Sequence, residues 1–325
     1  MREIQYRDAV CEALDEEMAR DPNVMMIGED VAFIGGNFKT SVGLYEKYGD
    51  LRMKDSPISE AGIVGMGVGM ALTGLRPVVE LMFSDFLLVA ADQVINQMAK
   101  IRYMSGGQAK VPMVIRCPIG GGRSSAAQHS QSMQAMVSHF PGMKVLVPST
   151  AQEVKGLLKA AIRDDNPVVV FEHKMEYSNK FEIDDSIELI PIGKADVKRE
   201  GTDITIVATS SQVMKSLKAA EKLAGEEISA EVIDLRSIIP LDRDAIIRSV
   251  KKTGRLLIVD EAYEFCGIGA EIAANLQEDI FYDLDAPIGR IATPNVPLPF
   301  SPALEFPIIP SVEKIIARVH DLTQR

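Results

Sequence analysis

Asp55-Ser56-Pro57-Ile58-Ser59-Glu60-Ala61-Gly62-Ile63-Val64-Gly65 opens a stretch that continues through Gly67 and Gly69 to Gly74. Ser59 is a capping residue type, so a helix is expected to start at Glu60. Such a helix is intrinsically poor, because each interior glycine costs on the order of 1 kcal/mol relative to alanine. Gly62, Gly65, Gly67 and Gly69 therefore need a compensating reason, and the expected one is close approach of another backbone in a tight helix contact, within the chain or between subunits. Glu60 falls in the first turn, between Ile58 and Ile63. A glutamate there ordinarily complements the helix dipole. In a desolvated interface the same carboxylate would have a raised proton affinity and would bond strongly to a partner nitrogen.

On either side of this stretch, short runs rich in Val and Ile recur: Val24 to Ile27, Pro77 to Met82, Pro112 to Arg116, Lys144 to Val147 and Val168 to Phe171. They are too short for helices and too continuous for half-exposed strands, which suits a parallel sheet buried on both faces. Between them lie amphipathic helical patterns, the first on Ala9, Val10, Ala13, Leu14 and Met18, ending near Asp21-Pro22. A polar stretch from Glu182 to Glu188 precedes a second alternation. Its strands are expected at Ile204 to Ala208, Glu231 to Leu235, Arg255 to Val259 and Pro287 to Ala292, its helices at Gln212 to Leu223 and Asp242 to Lys252. The expectation is α/β architecture with two open parallel-sheet domains, residues 1–190 and 191–325.

With 325 residues, 46% of them hydrophobic, the chain can bury a full core. A net charge of −11 without a Lys/Arg cluster argues against nucleic acid and anionic membranes as partners. Cys11, Cys117 and Cys266 are scattered and form no CxxC pair, which points away from a zinc site or disulfide framework and toward a reducing compartment. No apolar run approaches the ~20 residues a bilayer span needs, and the first residues, Met1 to Tyr6, lack an apolar leader core, so a cytoplasmic protein is expected.

Glu60-Ala61-Gly62-Ile63-Val64-Gly65 matches the E-x-G-x-x-G pattern of thiamine-diphosphate enzymes. Together with Gly28-Glu29-Asp30-Val31, Tyr48-Gly49-Asp50, Gly74-Leu75-Arg76-Pro77, Asp92-Gln93-Val94-Ile95-Asn96, Tyr103-Met104-Ser105-Gly106-Gly107, Ala126-Ala127-Gln128-His129-Ser130-Gln131 and Lys155-Gly156-Leu157, it resembles the beta subunits of thiamine-diphosphate-dependent 2-oxo acid dehydrogenases acting on pyruvate, branched-chain 2-oxo acids or acetoin. The similarity runs along essentially the whole chain. It implies a transketolase-like pyrimidine-binding domain followed by a transketolase C-terminal-like domain.

By that resemblance, Glu60 hydrogen-bonds N1′ of the cofactor's aminopyrimidine and so favours the tautomer that activates the thiazolium carbon. Phe86 packs against the same ring, and His129 lies near the thiazolium, aiding proton transfer or acyl transfer to a lipoyl group. Taken alone, Phe86 reads as ordinary core and a histidine as a structural residue, the default for His139, His173 and His320. His129 differs because it follows the flexible Gly120-Gly121-Gly122-Arg123-Ser124-Ser125, after a strand, where open α/β sheets place ligand loops. The resemblance also implies a potassium site on Met113, Ala161, Ile162, Asp164 and Asn166, mostly through backbone oxygens; a solvated turn explains the same residues.

The GDG segment that holds magnesium diphosphate in single-chain thiamine enzymes does not occur in this sequence. The resemblance assigns it to an alpha subunit, which would complete thiamine diphosphate and magnesium sites in an alpha2-beta2 heterotetramer. The C-terminal domain would dock the dihydrolipoyl acyltransferase core, with Asp285 and the chain end near Arg325 as docking positions. A nicotinamide enzyme is disfavoured, because after Gly267-Ile268-Gly269 the third fingerprint glycine is replaced by Ile272. A non-catalytic assembly subunit of the same fold is the rival from another class, opposed by Glu60, Phe86 and His129 occurring together. Among substrates pyruvate is favoured, since the block around His129 resembles pyruvate and acetoin enzymes and the Phe33 to Phe38 loop lacks the longer insertion of acetoin enzymes.

Overall fold

The computed structural model describes residues 1–324. They form two compact units: Met1–Ile119 with Met136–Ile192, and Gly120–Ala135 with Gly193–Arg325, whose last residue falls outside the description. In the first unit six strands lie side by side in the order Met53–Asp55, Val24–Gly28, Arg76–Glu80, Val114–Ile119, Val168–His173, Lys144–Leu146, and every neighbouring pair is parallel. All side chains of Val24–Gly28, Val114–Ile119 and Val168–His173 are buried, the expected result when helices cover both faces of a sheet. The N-terminal residues Arg2–Gln5, for which no strand was expected, pair antiparallel with Lys180–Ile183.

The helix Tyr6–Arg20 packs along Ala151–Arg163, burying Ala9, Val10, Ala13, Leu14 and Met18. Lys155 and Lys159 bridge to Glu12 and Glu16, and Arg163 to Glu17, closing the seam with ion pairs.

The second unit has a five-stranded sheet ordered Gly289–Thr293, Leu256–Tyr263, Ile204–Ala208, Ala230–Asp234, Asp196–Arg199. The first four are mutually parallel. Asp196–Arg199, which carried too little apolar signal to be expected as a strand, adds an antiparallel edge. The helix Gln212–Ala224 begins where expected, and Arg243–Thr253 is capped by Asp242, whose side chain accepts from Ala245 N–H. Ile204, Ile206, Val232, Leu257, Val259 and Leu276 are buried in this unit. At Gly267, which precedes the helix Ile268–Ile280, a side chain would lie 2.2 Å from the Tyr263 carbonyl, so backbone crowding accounts for this glycine without a nucleotide.

Candidate active site

The helix Glu60–Leu72 begins at the expected residue, but Ser59 does not cap it: its side chain accepts no bond from the first turn, and the backbone carbonyl alone receives Ile63 N–H at 2.8 Å. The glycines separate by environment. A side chain at Gly67 would meet Met113 Cε at 2.7 Å and Val79 Cγ2 at 2.8 Å, so that glycine lets the helix lie on the sheet. At Gly65 the neighbour is the Gln93 side chain of the wide helical turn Gln93–Met98, at 3.2 Å. Gly69 meets nothing within 4 Å. The expected backbone-to-backbone contact is thus replaced by side chains where the helix faces its own unit, while Gly69 stands exposed.

Glu60 is 6% exposed, and its carboxylate makes no hydrogen bond or ion pair among the described residues. Its electrostatic neighbour is Glu29, just beyond the strand Val24–Gly28. Burial, followed by repulsion from Glu60 and Asp30, pushes the Glu29 carboxyl above the usual range. Two carboxylates therefore face one another without a cation. Ile58, two residues before Glu60, is 82% exposed, so the apolar surroundings expected of this helix start are not supplied by the described residues.

Phe86 lies half-buried on the tight turn Ser84–Leu88, its ring edge-on to Phe83 at 5.9 Å. The aromatic contacts continue from Phe83 to Phe38 and on to Tyr177, where the rings stack at 4.8 Å. Behind them is a cluster that sequence reasoning missed. Arg116, 1% exposed, binds Glu172 through two nitrogens at 2.7 and 2.8 Å and Glu80 at 2.6 Å. Tyr177 Oη donates to Glu172 and Thr40 Oγ1 to Glu80. Glu80, Arg116 and Glu172 each end or lie within an apolar strand; Glu80 stands opposite Arg116 across the sheet, and Arg116 reaches Glu172 on its other neighbour strand. A charged residue inside an otherwise buried strand was the available signal.

His129 belongs to Gly120–Ala135 of the second unit, half-buried, with its N–H on Ala126 O at 3.4 Å. Of the other histidines, His320 bonds Glu226 at 2.7 Å, and His173 Nδ1 accepts Met175 N–H at 3.3 Å. Asp285 is exposed, 3.6 Å from Arg255, and Arg325 lies outside the described residues.

Of Met113, Ala161, Ile162, Asp164 and Asn166, the last three meet cations of the protein itself, and the carbonyls of the first two accept backbone N–H groups. Arg76 Nη1 donates to the carbonyls of Ile162 and Asp164, both at 3.0 Å, and its Nη2 to Asp165 at 2.6 Å. Arg102 binds the Asn166 side chain, Lys144 pairs with the Asp164 carboxylate, Asp164 N–H takes Ala161 O, and Val168 N–H takes Met113 O. Three positive side chains already neutralise this turn and engage its oxygens. As arranged, these residues do not fit a potassium ion.

A family profile described as "Transketolase, pyrimidine binding domain" matches residues 2–180, and one described as "Transketolase, C-terminal domain" matches residues 193–315. The chain is 45% identical over 326 residues to "2-oxoisovalerate dehydrogenase subunit beta" of Bacillus subtilis (strain 168), covering 100% of both chains. It is 50% identical over 319 residues to "Pyruvate dehydrogenase E1 component subunit beta-1, mitochondrial" of Oryza sativa subsp. japonica, covering 97% of this chain and 85% of that one. The chain belongs to the beta subunits of the thiamine-diphosphate-dependent 2-oxo acid dehydrogenases. A solved structure titled "Split gene transketolase, inactive beta4 tetramer" superposes with a TM-score of 0.81, covering 99% of this chain and 98% of that one at 24% identity, and shares the two-domain fold.

Family membership implies an alpha-subunit partner and involvement of thiamine diphosphate. The chain's residues fit the cofactor on chemical grounds: a little-exposed carboxylate with no donor among the described residues suits a protonated ring nitrogen, and Phe86 offers an aromatic face in the same unit. No helix among the described residues is long and apolar enough to cross a membrane.

Proposed function

We propose that this chain is the beta half of the decarboxylating component of a cytosolic 2-oxo acid dehydrogenase complex, with pyruvate the favoured substrate and a branched-chain 2-oxo acid or acetoin the alternative. The observation that carries the proposal is Glu60: a carboxylate left 6% exposed, beside a second carboxylate, with no donor among the described residues. A carboxylate so little exposed, with no donor among the described residues, is placed to accept a hydrogen bond from outside the chain.

Thiamine diphosphate, when bound, supplies the electron sink for loss of carbon dioxide from a 2-oxo acid. Glu60 accepts a hydrogen bond at N1′ of the aminopyrimidine and controls the ring's proton. Phe86 packs on that ring. His129 holds or moves a proton during transfer of the acyl fragment to a lipoyl group on the acyltransferase core. The alpha subunit holds the magnesium diphosphate and covers the exposed apolar residues around the Glu60 helix, Ile58 among them, in an alpha2-beta2 assembly. The second domain docks the acyltransferase core, with Asp285 on its exposed face.

The test is Glu60→Ala in a co-purified alpha-beta complex. Loss of both decarboxylation and lipoyl acylation, at unchanged assembly, is expected; an unmodified rate would refute the catalytic role and favour a non-catalytic assembly subunit. Separately, isolated beta chain titrated calorimetrically with thiamine diphosphate and magnesium is expected to bind weakly or not at all. Tight stoichiometric binding without alpha would overturn the shared site. Rates with pyruvate, a branched-chain 2-oxo acid and acetoin on the reconstituted complex decide the substrate.

A further inference from the structure

The loop that carries His129 is held by buried carboxylates of the second unit. Glu305, at the end of the short helix Pro302–Glu305, is fully buried, and its two oxygens accept the N–H groups of Gly122 at 2.8 Å and Ser124 at 2.9 Å. Glu261, on the strand Leu256–Tyr263, accepts Gly121 N–H at 2.7 Å. Its neighbour Asp260 accepts from Gln134 Nε2 at 3.2 Å, at the far end of the segment. Bonds from backbone N–H groups to a carboxylate are roughly twice as strong as neutral ones, and burial strengthens them further.

What those bonds hold is a strained turn. Ser124 has φ 54° and Ala126 φ 60°, a left-handed conformation that costs non-glycine residues about 1–2 kcal/mol each. The anchor has little slack, because a side chain at Gly121 would lie 2.8 Å from Ile309 Cδ1 and 3.3 Å from Glu305 Oε1. His129 follows directly, its N–H turned back on the carbonyl of Ala126. The turn that the Glu305 carboxylate holds at Ser124 thus leads into the backbone bond that His129 makes to Ala126.

We propose that Glu305 is a positioning residue for His129: by locking Gly122 and Ser124 it presents the histidine for acyl transfer, and so ties that half of the reaction to the C-terminal segment. This rests on the assignment of His129 to acyl transfer. Glu261 shares the anchoring but also accepts from Gln212 within its own unit, so Glu305, whose carboxylate serves the loop at both oxygens, is the cleaner probe.

The experiment uses the alpha-beta complex with Glu305→Gln, a swap that keeps size but turns one acceptor into a donor facing an N–H. Two rates are compared, oxidation of the 2-oxo acid with an artificial dye and reductive acylation of a free lipoyl domain, alongside amide hydrogen exchange of peptides covering residues 120–130. Faster exchange is expected, with acylation reduced at least about 10-fold more than dye-linked oxidation, since small misplacements of a reacting group carry penalties of that size. Equal loss in both rates, or faster exchange with acylation intact, overturns the positioning role. His129→Ala, run in parallel, separates the two ideas: if it leaves acylation untouched, the assignment of His129 fails whatever Glu305 does. Should Glu305→Gln not assemble, Glu305→Asp decides by the same ratio, a selective loss of acylation supporting the role and an unselective one or none refuting it.

Discussion

Two of the places where the first unit buries carboxylates, the one around Arg116 and the one at Glu29 and Glu60, are built differently. Glu80 and Glu172 share the guanidinium of Arg116, with Thr40 and Tyr177 filling remaining acceptor positions. Glu29 and Glu60 have no cationic partner among the described residues, and Asp30 adds a further negative charge. A satisfied ionic cluster belongs to the fold, because its partners are all in one chain. An unsatisfied one in a well-packed unit marks where something outside the chain is to bind, and open α/β sheets bind ligands beyond the carboxyl ends of their strands.

The contrast is sharpest on removing charge from each cluster. Arg116→Met strands two buried carboxylates and is expected to destabilise the first unit by about 3–5 kcal/mol; urea unfolding of the purified chain measures it. Glu60→Gln at the other cluster removes a charge that repels Glu29 and no partner among the described residues, so it should leave stability unchanged or raise it slightly. Comparable destabilisation by the two would erase the distinction between them.

Packing against the sheet provides the next largest effect. Gly67→Ala places a methyl within 2.8 Å of Met113 and Val79, and overpacking of this kind costs about 1–3 kcal/mol. A melting temperature equal to that of the parent chain would mean that the helix can lift from the strands, and would loosen the fixed placement of Glu60 on which its contrast with Arg116 depends.

These two regions also mark what was legible in the sequence. The strands Val24–Gly28, Val168–His173 and Ile204–Ala208 were readable because continuous Val/Ile runs have few other uses. Asp196–Arg199 and Arg2–Gln5 were not, since an edge strand is stabilised by backbone pairing and leaves no apolar run. The helix start at Glu60 was readable from its motif. Glu29 was quoted within a motif block but its carboxyl shift was invisible, because burial by the fold and then repulsion from a residue 31 positions away raise it. Arg76 explains the oxygens of Ile162 and Asp164 across 86 and 88 positions, a pairing that no local spacing encodes.

The Glu29 shift sets a pH dependence. A carboxyl whose pKa is raised by folding contributes stability that is complete below its unfolded value and is lost as the pH rises through the folded one. At neutral pH the charged Glu29 therefore strains the unit. Glu29→Gln should melt above the parent at pH 8, with the advantage shrinking as the pH falls through the raised folded value of the parent carboxyl and into the ordinary carboxylate range, where that carboxyl is protonated. Differential scanning calorimetry across that range reads it; an advantage that grows in acid would mean Glu29 has a cationic partner after all, and the two clusters would be alike.

The smallest expected effect tests what covers the Glu60 helix. Gly69 meets nothing within 4 Å, so Gly69→Ala adds a methyl to open space while removing a residue that weakens helices. In isolated beta chain it should gain up to about 1 kcal/mol of stability from propensity alone. If the alpha subunit or a second beta chain lies against this helix, the same methyl intrudes on that contact, and assembly measured by analytical ultracentrifugation should weaken while the free chain grows more stable. Opposite signs in the two measurements identify Gly69 as a glycine kept for a neighbour. A gain in both would leave the exposed glycine without an intersubunit purpose, and would confine the incomplete character of this region to the carboxylates of Glu60 and Glu29.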